Sequence, residues 1–398
     1  MPPRFLSARD LWIWGVSFAL VSALLYATGF ASDDPDSALY ANISARLAEG
    51  PVSRWIAPEW WGNWDSDGLF REHPAGVYFL PTALASLGFP AVPSAYVVGI
   101  ALGLASLLLI GHLVTRICGA ADGRAAIVLL QLMPVAFLFR IRANHEYPML
   151  LCLLLTLVAL DGVRQSWRWL PVVAVALTAA LLVKGVFVLL IFVAAGLWIL
   201  INPSRERGPN WRPIAACVAA IGVMAGVAYV YDVAYLRLTG ETFWWHYWHR
   251  QMAPLSVATP LDDALTLARH AGFYLVRLLW HPAPWSFALA IAAWRARGQL
   301  IATWRGLPDP SRRGLLFAVA FAALSIGVLS PASRFAERYA FSASYAIATA
   351  GAVIALRLWP RFASKLSALD AVVPALPALL WLGLMVGRVV LGPFVPRI

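Results

Sequence analysis

The sequence predicts an all-α, polytopic membrane protein, and three observations carry that prediction. Of its 398 residues 61% are hydrophobic and only 13% charged, with a mean hydropathy of +0.72. A soluble domain carries about 25% charged residues. The apolar residues gather into runs close to the roughly 20 residues that cross a bilayer core as a helix. The 31 basic residues, against 20 acidic ones, are scattered through the connectors between those runs. Their placement follows the positive-inside rule rather than the basic groove of a nucleic-acid binder.

Eleven spans are expected, near 11–31, 92–116, 124–140, 147–163, 169–183, 186–202, 213–232, 281–295, 313–330, 339–357 and 369–391. The first is the uncharged run LWIWGVSFALVSALLYATGFA. It is too long for the apolar core of a signal peptide and no clear A-x-A site follows it, so an uncleaved first span is expected. Those near 147–163, 169–183 and 281–295 are short. Cys118, Cys152 and Cys217 fall in or beside apolar runs without metal-ligand spacing and read as small core residues.

Two hydrophilic stretches interrupt the pattern, a first outer loop at 32–91 and a second at 233–280, within a single transmembrane domain covering 1–398. Both are rich in Trp. In ALYANISARLAEG the apolar residues Leu39, Ile43 and Leu47 share a helical face, and HPAGVYFLPTALASLGF is too short and Pro-marked to span. These segments read as helices lying in the membrane interface. With the N-terminus cytoplasmic, the short connectors carrying Arg116, Arg124, Arg164, Arg168, Arg205, Arg207, Arg212, Arg295, Arg297, Arg312, Arg313, Arg357, Arg361 and Lys365 all fall inside. Both long loops then face out. Arg dominates Lys and Ala is abundant, as in a GC-rich bacterial genome, so the expected address is the bacterial cytoplasmic membrane with function on its outer face.

Charged groups at span ends need a partner or a cavity, because insertion of one costs about 2.5–3.5 kcal/mol. Asp33, Asp34 and Asp36 close the first span. Glu72 and His73 lie in the first loop, Arg142, His145 and Glu146 in RIRANHEYP, and Lys184 between two apolar runs. His246, His249 and Arg250 lie in WWHYWHRQ; Arg334, Glu337, Arg338 and Tyr339 lie in SRFAERY. Each has a plain structural reading. The aspartates can be a solvated helix end, Arg142 and Glu146 an i, i+4 pair, and Lys184 a snorkelling lysine. The histidines have no compact zinc spacing. What favours chemistry is that carboxylates, a lone lysine and several arginines converge on one membrane face.

Several short motifs also occur in a matching order. PDSALYANIS at 35–44 resembles the P-D-x-x-x-Y-A-x-I-S start of the first outer loop in bacterial GT-C glycosyltransferases, the relatives of protein O-mannosyltransferases and lipid A aminoarabinose transferases. EHPAGVY at 72–78 is similar to their H-x-P-P-L or K-P-P-L element, and RANHEYPMLL at 142–151 to R-x-x-x-D-x-x-L. VKG at 183–185 resembles T-K-G, HYWHR at 246–250 a loop arginine motif, and ERYAF at 337–341 R-Y-x-x-P. The resemblance runs from residue 11 to about 350. The resemblance breaks at Glu146, which stands for an Asp, at HPAG, which replaces a proline pair, and in the second outer region, which holds no large soluble domain.

The resemblance implies a polyprenyl-phosphate-sugar-dependent glycosyltransferase with Asp36 as catalytic carboxylate and Glu146 as its partner. Lys184, Arg250 and Arg334 or Arg338 would grip the lipid phosphate, and Tyr339, His73 and Tyr40 complete the candidate substrate-binding set. Such chemistry suits these residue types. Phosphate is a good leaving group and needs charge stabilisation rather than a strong acid. Arginine supplies bidentate contacts to its oxygens, and a carboxylate takes the acceptor's proton. A single base opposite the leaving group implies inversion. The Trp residues of the first loop (Trp55, Trp60, Trp61 and Trp64) can stack on sugars or form a plain aromatic belt. No cofactor is identified. Asp33, Asp34, Asp36 and Glu146 offer oxygen ligands for Mg²⁺ or Mn²⁺, and spacing leaves open whether one binds. Expected partners are the lipid-linked donor, a lipid, glycan or protein acceptor and membrane lipids, not nucleic acid. A transporter or flippase is the alternative; against it, no paired halves are visible and the polar residues sit at one face rather than at the midplane.

Overall fold

The computed structural model describes residues 6–60, 68–140, 142–202, 211–249, 260–298, 300–331 and 336–359, with Gly383 and Gly387. The described residues form sixteen α-helices joined by short 3₁₀ turns, with no strand among them. In chain order they are α1 (Ala8–Thr28), α2 (Pro35–Glu49), α3 (Gly76–Ser86), α4 (Ala91–Cys118), α5 (Ala120–Leu130), α6 (Pro134–Arg140), α7 (Glu146–Gln165) and α8 (Leu170–Lys184). The second half contains α9 (Val188–Ile201), α10 (Trp211–Thr239), α11 (Phe243–Tyr247), α12 (Pro260–Trp280), α13 (Trp285–Arg295), α14 (Leu300–Gly306), α15 (Asp309–Leu329) and α16 (Phe341–Leu358).

Among the described residues seven stretches are long and apolar enough to cross a bilayer: α1, α4, α7, the run 167–201 that contains α8 and α9, α10, α15 and the run 337–357 around α16. The chain is an integral membrane protein. The expected count of eleven spans is not confirmed. The 369–391 segment lies outside the described residues. Residues 281–295 yield only α13, about 16 Å long at 1.5 Å per residue, short of the bilayer core.

The expected span 124–140 is broken into α5 and α6. Pro134 cannot donate to the preceding turn and biases its neighbour away from helical backbone, so the helix stops at Leu130. The break is held from inside. Buried Arg140 bonds Gln131 and donates from Nε to the Tyr147 hydroxyl at 3.2 Å, and Tyr147 meets the Tyr345 hydroxyl at 2.9 Å. These bonds tie α6 and α7 to α16 and give a buried cation its partners.

Burial ranks the helices from centre to rim. In α7, 83% of the membrane-spanning window is buried, against 17% in α1 and α10. The main apolar core therefore packs around α7, drawing on α4, α5, α8, α9, α15 and α16. At the far end of α7, Asp161 is fully buried, accepts from Trp198 Nε1 at 2.9 Å and lies 3.5 Å from Arg116. Where α13 crosses α16, a Cβ on Gly351 would lie 2.2 Å from the Trp285 carbonyl oxygen, so only glycine permits that approach.

The first loop folds into the expected helices, α2 and α3, which pack on one another through Tyr40, Ile43, Leu47 and Tyr78, with Phe70 of the connecting segment in the same cluster. Trp55 packs tilted against Phe79, with ring centroids 6.2 Å apart. Much of the second loop is helical too, as α11 and α12, the latter of 21 residues.

Candidate functional site

Four helix ends meet at one end of the bundle, and each brings a charged side chain. The start of α2 supplies Asp36 and the start of α7 supplies Glu146. The end of α8 supplies Lys184, and the 3₁₀ turn before α16 supplies Arg338 and Tyr339.

Asp34, not Asp36, caps α2. Its carboxylate accepts from the Ser37 amide at 3.0 Å and the Ser37 hydroxyl at 2.6 Å, with Pro35 at the first helical position. Ser37 then accepts from the Ala143 amide at 3.1 Å, which joins α2 to the turn before α7. Asp34 also lies 3.5 Å from Arg142. Asp34 is therefore a structural cap, which corrects its reading as part of a solvated span end; Asp33 is exposed. The same contact corrects the expected Arg142–Glu146 pair.

Asp36 comes next on the helix. Its carboxylate touches the Arg338 guanidinium, and its side chain keeps 39% exposure. Arg338 Nε lies 3.9 Å from Oε1 of Glu146, and the same oxygen accepts from Lys184 Nζ at 3.0 Å. The result is a chain of alternating charge, Asp36–Arg338–Glu146–Lys184, open at Asp36 and closed at Lys184. Glu146 and Lys184 are buried, with side chains 1% and 4% exposed. Lys184 is paired rather than snorkelling. The rings of Phe187 and Tyr339 flank its ammonium at 4.8 and 5.0 Å, which stabilises the charge away from water. Oε2 of Glu146 has no hydrogen-bond donor among the described residues.

Lys184 is positioned by the end of α8. Gly185 turns the chain at φ 57°, a conformation that L side chains rarely adopt. Tyr247 of α11 pins this turn by accepting from the Val186 amide at 3.0 Å. The second loop thus reaches the site through Tyr247, which sequence reading did not single out. Its neighbours in HYWHR were the only signal.

Tyr40 and His73 form the wall behind. Both are buried, and each packs its ring edge-on to His145, at centroid distances of 4.7 and 4.5 Å. Burial, with His73 and Lys184 nearby, pushes the His145 pKa well below its usual 6.5, so it is neutral. Burial first, then Tyr78 and Glu146, raises that of Tyr40, which stays protonated. Arg250 and Arg334 lie outside the described residues, as do Trp61 and Trp64.

A second polar cluster was not legible in the sequence. Arg71 donates to Tyr235 at 3.0 Å and to Glu241 at 2.5 Å, and Glu241 also meets His246 at 3.1 Å. It clamps the two loops together over a separation of about 170 residues.

The acids considered for Mg²⁺ or Mn²⁺ do not assemble as a ligand set. Asp34 faces Arg142, Asp36 faces Arg338 and Glu146 faces Lys184, and no group of three metal-ligating side chains occurs among the described residues. Hard divalent cations need several convergent oxygens, which carboxylates each turned to a different cation do not offer.

Comparison with known proteins gives this arrangement a class. The fold is of the GT-C type. Residues 72–231, a stretch short of half of the chain, match the family model described as dolichyl-phosphate-mannose-protein mannosyltransferase. Two crystal structures of ArnT from Cupriavidus metallidurans are similar in fold. The form bound to undecaprenyl phosphate aligns with a TM-score of 0.63 at 17% identity, over 88% of this chain and 62% of ArnT. The apo form gives 0.64 at 15% identity, over 90% and 62%. This chain therefore spans about three fifths of the length of ArnT. No curated protein sequence matches it.

Proposed function

We propose that this protein is a membrane glycosyltransferase that moves a sugar from a polyprenyl-phosphate carrier to an acceptor hydroxyl, on the outer face of a bacterial cytoplasmic membrane. The observation that carries the proposal is the charge chain itself. It sets an accessible carboxylate, Asp36, against Arg338, with Lys184 beyond Glu146 in the same chain, at one end of a GT-C-type bundle. The family match and the undecaprenyl phosphate bound by ArnT support the donor class.

In this reaction the acceptor oxygen attacks the anomeric carbon, and the bond to the phosphate oxygen breaks with its electron pair leaving on phosphate. Asp36 takes the acceptor's proton, and with the base opposite the leaving group the anomeric carbon inverts. Arg338 and Lys184 oppose the charge that builds on the phosphate, in a site where low dielectric strengthens the effect. Arg338 has a double use, because a phosphate that draws its guanidinium away also frees the Asp36 carboxylate. Glu146 is too buried to reach an acceptor and serves as a positioning residue, holding Lys184 and Arg338 in register.

The test compares wild type with Asp36→Asn in a transfer assay using purified protein and polyprenyl-phosphate sugars. The variant should bind donor as well as wild type and lose about 10²–10⁴ in kcat, the usual contribution of a general base. Undiminished transfer by the variant removes Asp36 from that role.

A further inference from the structure

We propose a lipid site distinct from the donor site: an apolar slot between α4, α7, α13, α15 and α16 that holds one acyl chain of an anionic phospholipid, with its headgroup at Arg295 and Arg357. The slot has a volume of about 390 Å³. One face of α16, from Ser342 through Ala346, Ala350 and Ile354 to Arg357, lines it along its whole length. Those fifteen steps rise about 22 Å at 1.5 Å per residue. That volume drawn out over that length leaves a bore the width of a single hydrocarbon chain, not a compact sugar pocket.

The walls suit a hydrocarbon chain. They are mostly Leu, Ile, Val, Ala and Phe, which offer water few partners along the bore. Left empty, the lining side chains would lack dispersion partners on one side. An acyl chain drawn in from the bilayer restores those contacts.

The mouth defines the headgroup. It opens at the C-terminal ends of α4, α13 and α16, where Arg295 is exposed and has no carboxylate partner among the described residues. Arg357 pairs with Asp122 at 2.7 Å and still keeps 39% side-chain exposure. Two guanidinium groups at the rim of an apolar bore match a lipid phosphate above an acyl tail. This end lies opposite Arg338 and Lys184, about 24 Å away along α16 from Phe341 to Arg357. A lipid anchored here cannot present its phosphate to the charge chain, so a resident phospholipid fits better than the sugar donor.

Native mass spectrometry of the purified full-length protein tests this, with phosphatidylglycerol, phosphatidylcholine and a polyprenyl phosphate as separate probes. Wild type should retain one phosphatidylglycerol in preference to phosphatidylcholine. Ala350→Phe, which plugs the bore, should weaken retention about ten-fold. Arg295→Gln should weaken phosphatidylglycerol alone by about five-fold, the effect of one basic residue near an anionic lipid. Ala346→Leu repeats the plug with a smaller change should Ala350→Phe not fold. As an independent readout, phosphatidylglycerol should raise the melting temperature of wild type and not that of the plugged variant. Four results would overturn the proposal: no retained lipid in wild type, equal retention in the plugged variants, an unchanged headgroup preference in Arg295→Gln, or a polyprenyl phosphate that displaces the phospholipid.

Discussion

Replacing Glu146 by Gln is the most informative perturbation of the charge chain, because the consequence can be worked from distances. Oε1 of Glu146 lies 3.0 Å from Lys184 Nζ and 3.9 Å from Arg338 Nε, and its side chain is 1% exposed. At an effective dielectric of about 20, those separations correspond to attractions of roughly 5 and 4 kcal/mol. The desolvation of the charges offsets much of this, so the intact pair contributes little net stability. Removing one partner is another matter, since it strands a buried ammonium and typically costs about 3–5 kcal/mol. Glu146→Gln and Lys184→Met should each therefore destabilise by about that amount in detergent unfolding. The double variant should lose far less than their sum, because neither charge remains to be stranded. A double-mutant cycle followed by thermal and denaturant unfolding reads the coupling. If the two losses simply add, Glu146 and Lys184 do not act as a buried pair and the charge chain is wrongly drawn.

Other expectations follow from neighbouring contacts. Arg338→Gln should raise KM for the lipid-linked donor by about ten-fold or more while sparing the fold, as befits a half-exposed cation facing phosphate; steady-state kinetics at fixed ionic strength measures it. Gly185→Ala should destabilise by 1 kcal/mol or more, since φ is 57° and a Cβ would lie 2.3 Å from the Tyr247 hydroxyl; an increased KM should accompany it as Lys184 shifts. His145 is held neutral by burial, so below its ordinary pKa of 6.5 the unfolded chain binds a proton that the folded chain refuses. Stability should thus be full above pH 6.5 and fall as pH drops below it, and His145→Phe should flatten that slope in melting curves taken from pH 7.5 to 5. Asp34→Ala should cost about 1 kcal/mol as a lost cap, with a further loss from the Ser37 bridge to Ala143.

What the sequence revealed and what it hid divide along physical lines. Hydropathy located the long apolar helices because a 20-residue run depends on composition alone. It misjudged 124–140, where a single proline and a buried arginine network outweigh apolar content. The motif order brought Asp36, Glu146, Lys184, Arg338 and Tyr339 to one place, as the structure shows. The choice of partners was not legible. Arg142 and Glu146 have good helical spacing, yet the helix begins only at Glu146, so Arg142 points elsewhere and finds Asp34. Asp34, grouped by sequence with its acidic neighbours, is the cap, because the cap is decided by where Pro35 starts the helix. The Arg71–Glu241 clamp links residues with no local pattern at all and emerges only from tertiary packing.

The tight crossing at Gly351 gives α16 a mechanical meaning. With the helix pressed against Trp285 there, the ten residues back to Phe341 form an arm of about 15 Å at 1.5 Å per residue. A rocking of only about 4° about that fulcrum carries the arm's head, and the guanidinium just beyond it, through about 1 Å, enough to make or break a hydrogen bond. Bilayer thickness biases helix tilt within the limits that packing against neighbouring helices allows. If the proposed transfer holds, turnover in membranes of graded acyl length should therefore vary with that length, making the host membrane a tuning device as well as a solvent.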